Sequence, residues 1–193
     1  MTVVQRMRIL APMVLGVTHL ARAQESAATP PHRSTPPAVE EKQRTEEETR
    51  KRLQQLACGP SGVHFSQHTD KGPQVLPEQP PEKGLIYVIR SKSWFGAAVQ
   101  AKLAMDGKWM GVNRQSNYFH FEVDPGPHYF CLKAGAGPGT VALLSLVIEK
   151  GKTYYLHQNL TYGGMELDLL DDEKGKQYVA EYHRSFFEEK PKK

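Results

Sequence analysis

In the C-terminal two thirds of the chain, apolar and polar residues alternate in short runs separated by turn residues, which is typical of β-strands. The alternation is clearest over 117–123, where Phe119, Phe121 and Val123 share one face of the strand. The same reading along the chain predicts strands over 85–90, 99–105, 108–112, 117–123, 128–133, 141–148, 154–162 and 165–170.

Two further patterns complete the fold prediction. The run 141–148 is apolar on both faces except at Ser145, which predicts a central buried strand. Asp171 predicts a helix N-cap, and three aromatic residues then form one helical stripe: Tyr178, Tyr182 and Phe186. We therefore expect residues 58–186 to form a mainly β domain, a single antiparallel β-sandwich of about seven or eight strands with a packed C-terminal helix.

The segment 40–57 has ten charged residues among its 18 and carries acid-to-base pairs at i,i+4 spacing, which stabilise a helix. Its apolar positions come only at the C-terminal end, at Leu53, Leu56 and Ala57. Gly59-Pro60 ends the helix, because proline cannot continue the hydrogen-bond ladder. The first 13 residues of the segment lack apolar a and d positions, which argues against a coiled coil.

The N-terminal residues 1–23 have the form of a secretory signal peptide. Arg6 and Arg8 precede a mostly apolar run over 9–20, and Ala21-Arg22-Ala23 supplies small residues for cleavage after Ala23. The run is too short for an ordinary membrane-spanning helix, which needs roughly 20 residues. The alternative is an N-terminal anchor that is not cleaved. Cleavage predicts an exported protein, periplasmic or secreted, with no later transmembrane span.

Charge and composition narrow the classes of partner. The chain has 25 Lys+Arg and 21 Asp+Glu, and removal of the signal peptide leaves 22 against 21, a net charge of +1. This balance does not favour a nucleic-acid partner, which needs a clustered basic face. The Pro-rich segment 24–39 predicts a disordered linker, and residues 187–193 form a short basic tail.

The chain contains two cysteines, Cys58 and Cys131. In an oxidising compartment an even pair is more often a disulfide than two free thiols. Only one pairing is available, so export predicts a Cys58–Cys131 bridge. Two buried thiols are the alternative.

Several short motifs recur in an order and spacing that resemble a known family. They are Gly84-Leu-Ile-Tyr-Val-Ile-Arg90, Phe95-Gly-Ala-Ala98, Asp106-Gly-Lys108, Gly111, Tyr118-Phe119, Val123-Asp-Pro-Gly126, His128 and Gly151-Lys-Thr-Tyr-Tyr155. Over about residues 56–183 the chain resembles the exported bacterial family named domain of unknown function 2846. The Asp-Gly-Lys and Pro-Gly-x-His pieces are also similar to PEGA-type β-sandwich repeats of envelope proteins. The resemblance implies a compact exported β-sandwich and implies no activity.

Motifs for catalysis, metals and cofactors are weak. His64 and His68 have helical ligand spacing, but their segment lacks a helical period and a third ligand, so we predict no metal site. The glycine-rich stretch 135–140 has no lysine and no following helix, which argues against a phosphate loop. No nucleophile elbow or active-site cysteine signature occurs. The sequence thus predicts no catalytic residue and no cofactor.

Four aromatic residues are the most distinctive candidates for binding: Trp94, Phe95, Trp109 and Tyr118. Trp94 and Phe95 fall between predicted strands and Trp109 follows a predicted hairpin turn. Exposed rings there would stack on a sugar or grip a protein. The alternative is that they close the open end of the sandwich.

These observations predict a non-enzymatic exported envelope protein, a binding or structural module whose partner is an envelope protein or glycan. Two alternatives stay open. One is a hydrolase of envelope polysaccharide that uses Asp168 or its neighbours Asp171 and Asp172. The other is a carrier of a small ligand in a cavity between the sheets.

Overall fold

The structure, a computed structural model, describes residues 37–93, 98–135 and 140–190, with side chains from residue 41 onward. The predicted signal peptide and most of the predicted linker lie outside these ranges. In chain order the elements are α1 (Pro37–Ala57), β1 (Phe65–Asp70), β2 (Gly84–Arg90), β3 (Ala101–Met105), β4 (Lys108–Asn113), β5 (Asn117–Val123), β6 (Gly126–Ala134), β7 (Val141–Ile148), β8 (Thr153–Thr161), β9 (Gly164–Leu170), α2 (Asp172–Glu181) and β10 (His183–Glu189).

The mainly β prediction is confirmed, and the strands form two sheets. One has six strands in the order β1-β10-β5-β2-β8-β9, and the other has four in the order β4-β3-β6-β7. The described residues thus contain ten strands, where the sequence predicted seven or eight. The six-stranded sheet is mixed and not antiparallel, because β2 pairs parallel with β8 and β5 pairs parallel with β10.

Eight of the strands lie within two residues of the predicted ranges, and the two that the pattern missed are β1 and β10. These two pair with each other along their full length, from Phe65 opposite Glu189 to Asp70 opposite Arg184. Both are largely polar, so neither shows the alternation that marks a half-buried strand. Their partner lies more than a hundred residues away, and only the tertiary fold brings it close.

The C-terminal helix is shorter than its aromatic stripe predicted. Asp171 is the N-cap, as expected, and its side chain accepts a hydrogen bond from the Lys174 amide. The helix ends at Glu181, because Tyr182 has extended backbone dihedrals. Phe186 therefore lies in β10, where its side chain is 46% exposed, and the prediction that it packs as part of the helix is wrong.

The prediction of a central strand over 141–148 is also wrong, since β7 is an edge strand of the four-stranded sheet. Leu144 and Leu146 pack into the core between the sheets, and Leu143 packs on the opposite face beside the end of α1. The helix end thus explains part of the apolar character of that face. Val147 on the same strand is 64% exposed.

The main core lies between the two sheets, and a second lies between the six-stranded sheet and α2. The main core includes Ile86 and Val88 of β2 and Leu103 of β3. The second core is rich in tyrosine: Leu85, Tyr87, Ile89, Tyr118, Tyr155, Val179 and Tyr182. Because both faces of β2 are covered, all seven of its residues are buried.

Helix α1 contacts the domain only near its C-terminal end. Residues 41–52 are exposed, whereas Ala57 is buried against Ala104 and Cys131 on the outer face of the four-stranded sheet. Cys58 and Cys131 form the predicted disulfide, with their Cα atoms 4.9 Å apart, a separation normal for such a bridge. The bridge ties the end of α1 to β6.

Candidate anion-binding groove

Two lysines lie side by side on the outer face of the four-stranded sheet. Lys102 of β3 and Lys133 of β6 are direct partners in the antiparallel register. Their neighbours Leu103 and Leu132 point the other way, into the core between the sheets. Directly opposed residues of an antiparallel pair have Cβ atoms about 4.5–5.5 Å apart. The two positive charges are therefore close neighbours.

The ammonium group of Lys102 has two contacts, one with the loop that follows α1 and one with Trp109 of β4. Its Nζ atom donates a hydrogen bond of 2.8 Å to the Val63 carbonyl and lies 4.5 Å from the centre of the Trp109 ring. The Trp109 indole N–H donates to the Pro60 carbonyl at 2.8 Å. Gly59 packs against the same ring so closely that a Cβ there would lie 2.6 Å from it. Trp109 thus positions Lys102.

The electrostatic surroundings of Lys102 are unfavourable for a cation. Burial lowers the pKa of Lys102, and the positive charge of Lys133 lowers it further. Within the part of the chain that the structure describes, the ion pairs involve neither Lys102 nor Lys133. Neither lysine therefore has an anionic partner among the described residues.

A groove of about 550 Å³ lies over this pair. Its described lining residues are Val63, His64, Phe65, Gln100, Lys102, Lys133, Gly135 and Lys190. This set includes three lysines and no aspartate or glutamate. The backbone N–H of Lys190 donates to the His64 carbonyl at 2.8 Å, which fixes the far side of the groove. We call this surface the lysine groove.

A second groove of about 570 Å³ adjoins the first at Lys133, which lines both. Its other lining residues are Lys51, Gln54, Gln55, Cys58, Gly59 and Ser61. Lys51 forms an ion pair of 2.8 Å with Glu47, one helical turn earlier on α1. We call this surface the helix groove, because α1 forms one of its sides.

A larger groove of about 630 Å³ lies between α1 and the two edge strands β7 and β9. Its charged lining residues are mostly acidic, since Arg50 is accompanied by Glu46, Glu166 and Asp168. The rest of its lining is mostly apolar. This acidic excess disfavours an anionic ligand, so the smaller lysine groove is the better candidate for anion binding.

Of the four aromatic residues predicted to bind a ligand, two lie within the described residues. Trp94 and Phe95 lie outside the described residues. Trp109 is half-buried, and its ring packs against Gly59 and the Lys102 ammonium group of the same chain. Tyr118 has 0% exposure and lies in the core under α2, where its hydroxyl donates to Gln74 Oε1 at 2.8 Å. It is therefore not an exposed ring for a ligand, because α2 covers the face of β5 that carries it.

The predicted acidic candidates Asp171 and Asp172 have structural partners. Asp171 caps α2, and Asp172 lies 3.5 Å from the Lys176 ammonium. Asp168 is directly opposite His157 across the pairing of β8 and β9. His157 Nε2 lies 2.5 Å from the hydroxyl oxygen of Ser91, the residue that follows the adjacent strand β2, a contact that sequence reasoning missed.

The environment of His157 favours its neutral form. Burial lowers the pKa of His157, although the carboxylates of Asp168 and Glu166 oppose this effect. The imidazole stacks on the ring of Tyr178, with ring centres 5.8 Å apart. A neutral imidazole beside a hydroxyl can accept its proton, which is the role of a general base.

The turn motifs that carry the family resemblance connect the β3–β4 hairpin to the turn between β5 and β6, two strands that lie in different sheets. Asp106 and Gly107 have φ angles of 49° and 80°, the positive values that a tight two-residue hairpin turn requires. The Asp106 carboxylate lies 2.6 Å from His128 Nδ1 and accepts the Tyr129 amide at 2.9 Å. His128 Nε2 is 2.9 Å from the Asp124 carbonyl. These contacts assign the motif a structural role.

The described ranges contain no group of three or more His, Cys, Asp or Glu side chains placed to hold a metal ion. His64 precedes β1 and His68 lies within it, so the two histidines do not lie one turn apart on a helix. Among the helices described here, none combines the length and apolar character needed to cross a membrane.

Comparison with known proteins gives one distant relative. No protein-family model matches the chain, and no solved structure matches it. The chain is similar to an uncharacterized protein of Haemophilus influenzae, with 26% identity over 106 residues. The match covers 52% of this chain and 61% of that protein, so the chain spans less than two thirds of its relative.

Proposed function

We propose that this protein is a non-enzymatic, exported binding module of the bacterial envelope that holds an anionic group of its partner between Lys102 and Lys133. One observation carries the proposal: the two lysines are directly opposed in the sheet, and no described acidic side chain forms an ion pair with either. Like charges in this arrangement destabilise a sheet. A bound anion would offset that repulsion.

The way Lys102 is held supports a binding role. Its contacts with the Val63 carbonyl and the Trp109 ring order the side chain before any ligand arrives. A group that is already ordered loses less conformational entropy on binding. Hydrogen bonds between an ammonium group and an anion are also stronger than neutral ones. Lys133 then supplies the second charge from the adjacent strand.

Export is supported by the N-terminal pattern and by the disulfide. Stable disulfides are characteristic of oxidising compartments and rare in the cytosol. Expression of the full chain with a C-terminal tag, followed by fractionation, tests this part of the proposal. We expect the periplasmic or secreted fraction to hold a form that begins at Gln24. A full-length form in the cytosol would contradict it.

The binding site is tested with inorganic phosphate as the probe, at low ionic strength. We expect saturable chemical-shift changes at the ammonium groups of Lys102 and Lys133 and at the Trp109 indole N–H. Lys102→Gln and Lys133→Gln should each weaken binding at least fivefold. Lys176→Gln is the matched control, because Lys176 is exposed on α2 and should leave binding unchanged. Equal, non-saturable changes at all surface lysines would show that no specific site exists.

A second candidate function, ester hydrolysis, is favoured by the contact between Ser91 and His157 with Asp168 opposite. Ser91 Oγ would attack the ester carbonyl while His157 accepts its proton and passes it to the departing alcohol. Water would then hydrolyse the acyl-serine, with His157 as the base. A fluorophosphonate probe should label Ser91 in the unmodified protein and fail to label His157→Gln. Absence of labelling in the unmodified protein would remove this candidate.

A further inference from the structure

The two basic grooves adjoin each other at Lys133. Lys133 lines both the lysine groove and the helix groove, and their volumes are about 550 and 570 Å³. Volumes of this size hold whole drug-sized molecules. A single phosphate or carboxylate would contact the lysine pair and leave most of both grooves empty. The shape therefore suits a ligand that extends past Lys133 in both directions.

The lining of the combined surface contains both charged and neutral polar groups. The positive charges come from Lys51, Lys102, Lys133 and Lys190. Neutral donors and acceptors lie among them: Gln54, Gln55, Ser61 and Gln100. Amide and hydroxyl groups can each donate and accept, so they match the hydroxyl groups of a sugar. The lysines match acidic groups on the same chain.

The position of the grooves disfavours an extended peptide. Peptides commonly bind to sheets by adding a strand at an open edge. Lys102 and Lys133 lie on β3 and β6, which are the two interior strands of the four-stranded sheet. The backbone groups of these strands are already paired on both sides. Recognition on this face must therefore use side chains.

The segment between the grooves is rigidly supported. The Cys58–Cys131 disulfide fixes one end, and the packing of Gly59 against Trp109 fixes the next residue. Val63 is then held by its hydrogen bond from Lys102. The surface is thus ordered in the absence of a ligand, which favours binding of a long and flexible chain.

From these observations we infer that the ligand is a linear acidic polysaccharide, which crosses both grooves with an acidic group between Lys102 and Lys133 and its hydroxyl groups on Gln54, Ser61 and Gln100. The inference rests on the proposed binding function and specifies the chemical class of the ligand. A polyphosphate would pair with the lysines and accept hydrogen bonds from the glutamine and serine groups, but it has no hydroxyl group to donate to the glutamine carbonyls. A neutral polysaccharide would pair with the glutamine and serine side chains and would leave the lysines without an anion.

The test compares four probes by calorimetry at one low salt concentration: alginate oligosaccharides, inorganic phosphate, inorganic polyphosphate and dextran. We expect alginate to bind at least tenfold more tightly than phosphate or polyphosphate, and dextran not to bind measurably. Ser61→Ala and Gln100→Ala, one variant in each groove, should weaken alginate binding three- to tenfold and leave phosphate binding unchanged. Gln177→Ala on the exposed face of α2 is the matched control.

The outcomes separate this inference from the proposed function. If polyphosphate binds as tightly as alginate, the sugar hydroxyls are not recognised and the inference is wrong, while anion binding stands. If phosphate binds as tightly as alginate, the ligand occupies the lysine pair alone. The inference is then also wrong, while anion binding stands. If no anion binds, the proposed function and the inference both fail.

Discussion

Gly175 of α2 lies directly on the ring of Tyr155 of β8. A Cβ atom at position 175 would overlap that ring, so the backbone of α2 approaches the sheet more closely than any other residue would permit. The ring is buried between this helix and Tyr87, on which it stacks with centres 5.4 Å apart. Burial raises the pKa of Tyr155 to about 12, and the nearby Asp172 and Tyr87 contribute. The glycine thus sets the spacing of the second core.

The first prediction follows from this contact. Gly175→Ala should decrease the free energy of unfolding by about 1–3 kcal/mol, the usual cost of overpacking. Alanine is the better helix former by roughly 1 kcal/mol, so an unpacked helix would show the opposite sign. Urea denaturation measures the change. Gln177→Ala at an exposed position of α2 is the control, and a gain in stability for Gly175→Ala would show that α2 does not pack as described.

The second prediction concerns the opposed lysines. Lys133→Gln removes the repulsion on Lys102 and should raise the free energy of unfolding by roughly 0.2–1 kcal/mol, the range for cross-strand charge pairs. The same substitution should raise the pKa of Lys102. Burial is the main cause that lowers this pKa, and the positive charge of Lys133 is the second. Denaturation and NMR titration of the Lys102 ammonium measure the two effects.

A gain in stability together with a loss of phosphate binding would indicate that Lys133 is kept for function. Lys176→Gln is again the matched control, since it removes an exposed lysine that has an acidic partner. If Lys133→Gln lowers stability instead, the two lysines do not repel each other. The proposed anion site would then have no support from their charges.

The third prediction concerns the disulfide. The bridged cysteines are 73 positions apart, and loop closure of this length stabilises a fold by about 4 kcal/mol on the chain-entropy estimate. Reduction, or the double substitution Cys58→Ala with Cys131→Ala, should lower the free energy of unfolding by that order. Thiol titration of the unreduced, denatured protein should find no free cysteine. Two free thiols would contradict the bridge.

The fourth prediction is a pH dependence from two partly buried histidines. Burial lowers the pKa of both His120 and His157 in the folded protein. The unfolded chain therefore takes up protons first as the pH falls. The free energy of unfolding should decrease from about pH 6.5, the ordinary histidine value, until the lowered folded-state values are reached.

Urea denaturation between pH 7.5 and pH 5.5 measures this slope, above the range in which most carboxylates titrate. His157→Gln should reduce the slope, because it removes one of the two groups. Gln177→Ala, which removes an exposed side chain that does not titrate, is the control and should leave the slope unchanged. An unaltered slope in His157→Gln would show that this imidazole is not buried in its neutral form.

The fifth prediction concerns Gln158 of β8, which is 1% exposed. Within the described part of the chain, neither its amide nitrogen nor its amide oxygen has a hydrogen-bond partner. An unpaired buried polar group costs about 1–3 kcal/mol. Gln158→Leu, which keeps a similar volume, should therefore raise the melting temperature, whereas Gln177→Leu on the surface should not. A large loss of stability would mean that the amide is paired in solution.

Local patterns in the sequence were sufficient for much of the fold. The alternation over 117–123 and the Asp106-Gly107 turn predicted β5 and the β3–β4 hairpin, because side-chain period and turn geometry depend on adjacent residues. Asp171 predicted the start of α2 for the same reason, since an N-cap acts within one helical turn. The presence of only two cysteines left a single possible pairing.

Tertiary structure decided which elements meet. Sheet order, the parallel pairing of β2 with β8, and the covering of Tyr118 by α2 depend on contacts between distant segments, which residue patterns do not encode. The lysine groove is of this kind. Lys102 and Lys133 are separated in sequence by β4 and β5, and each resembles an ordinary polar position on an exposed strand face. Only the register of β3 against β6 places one charge opposite the other.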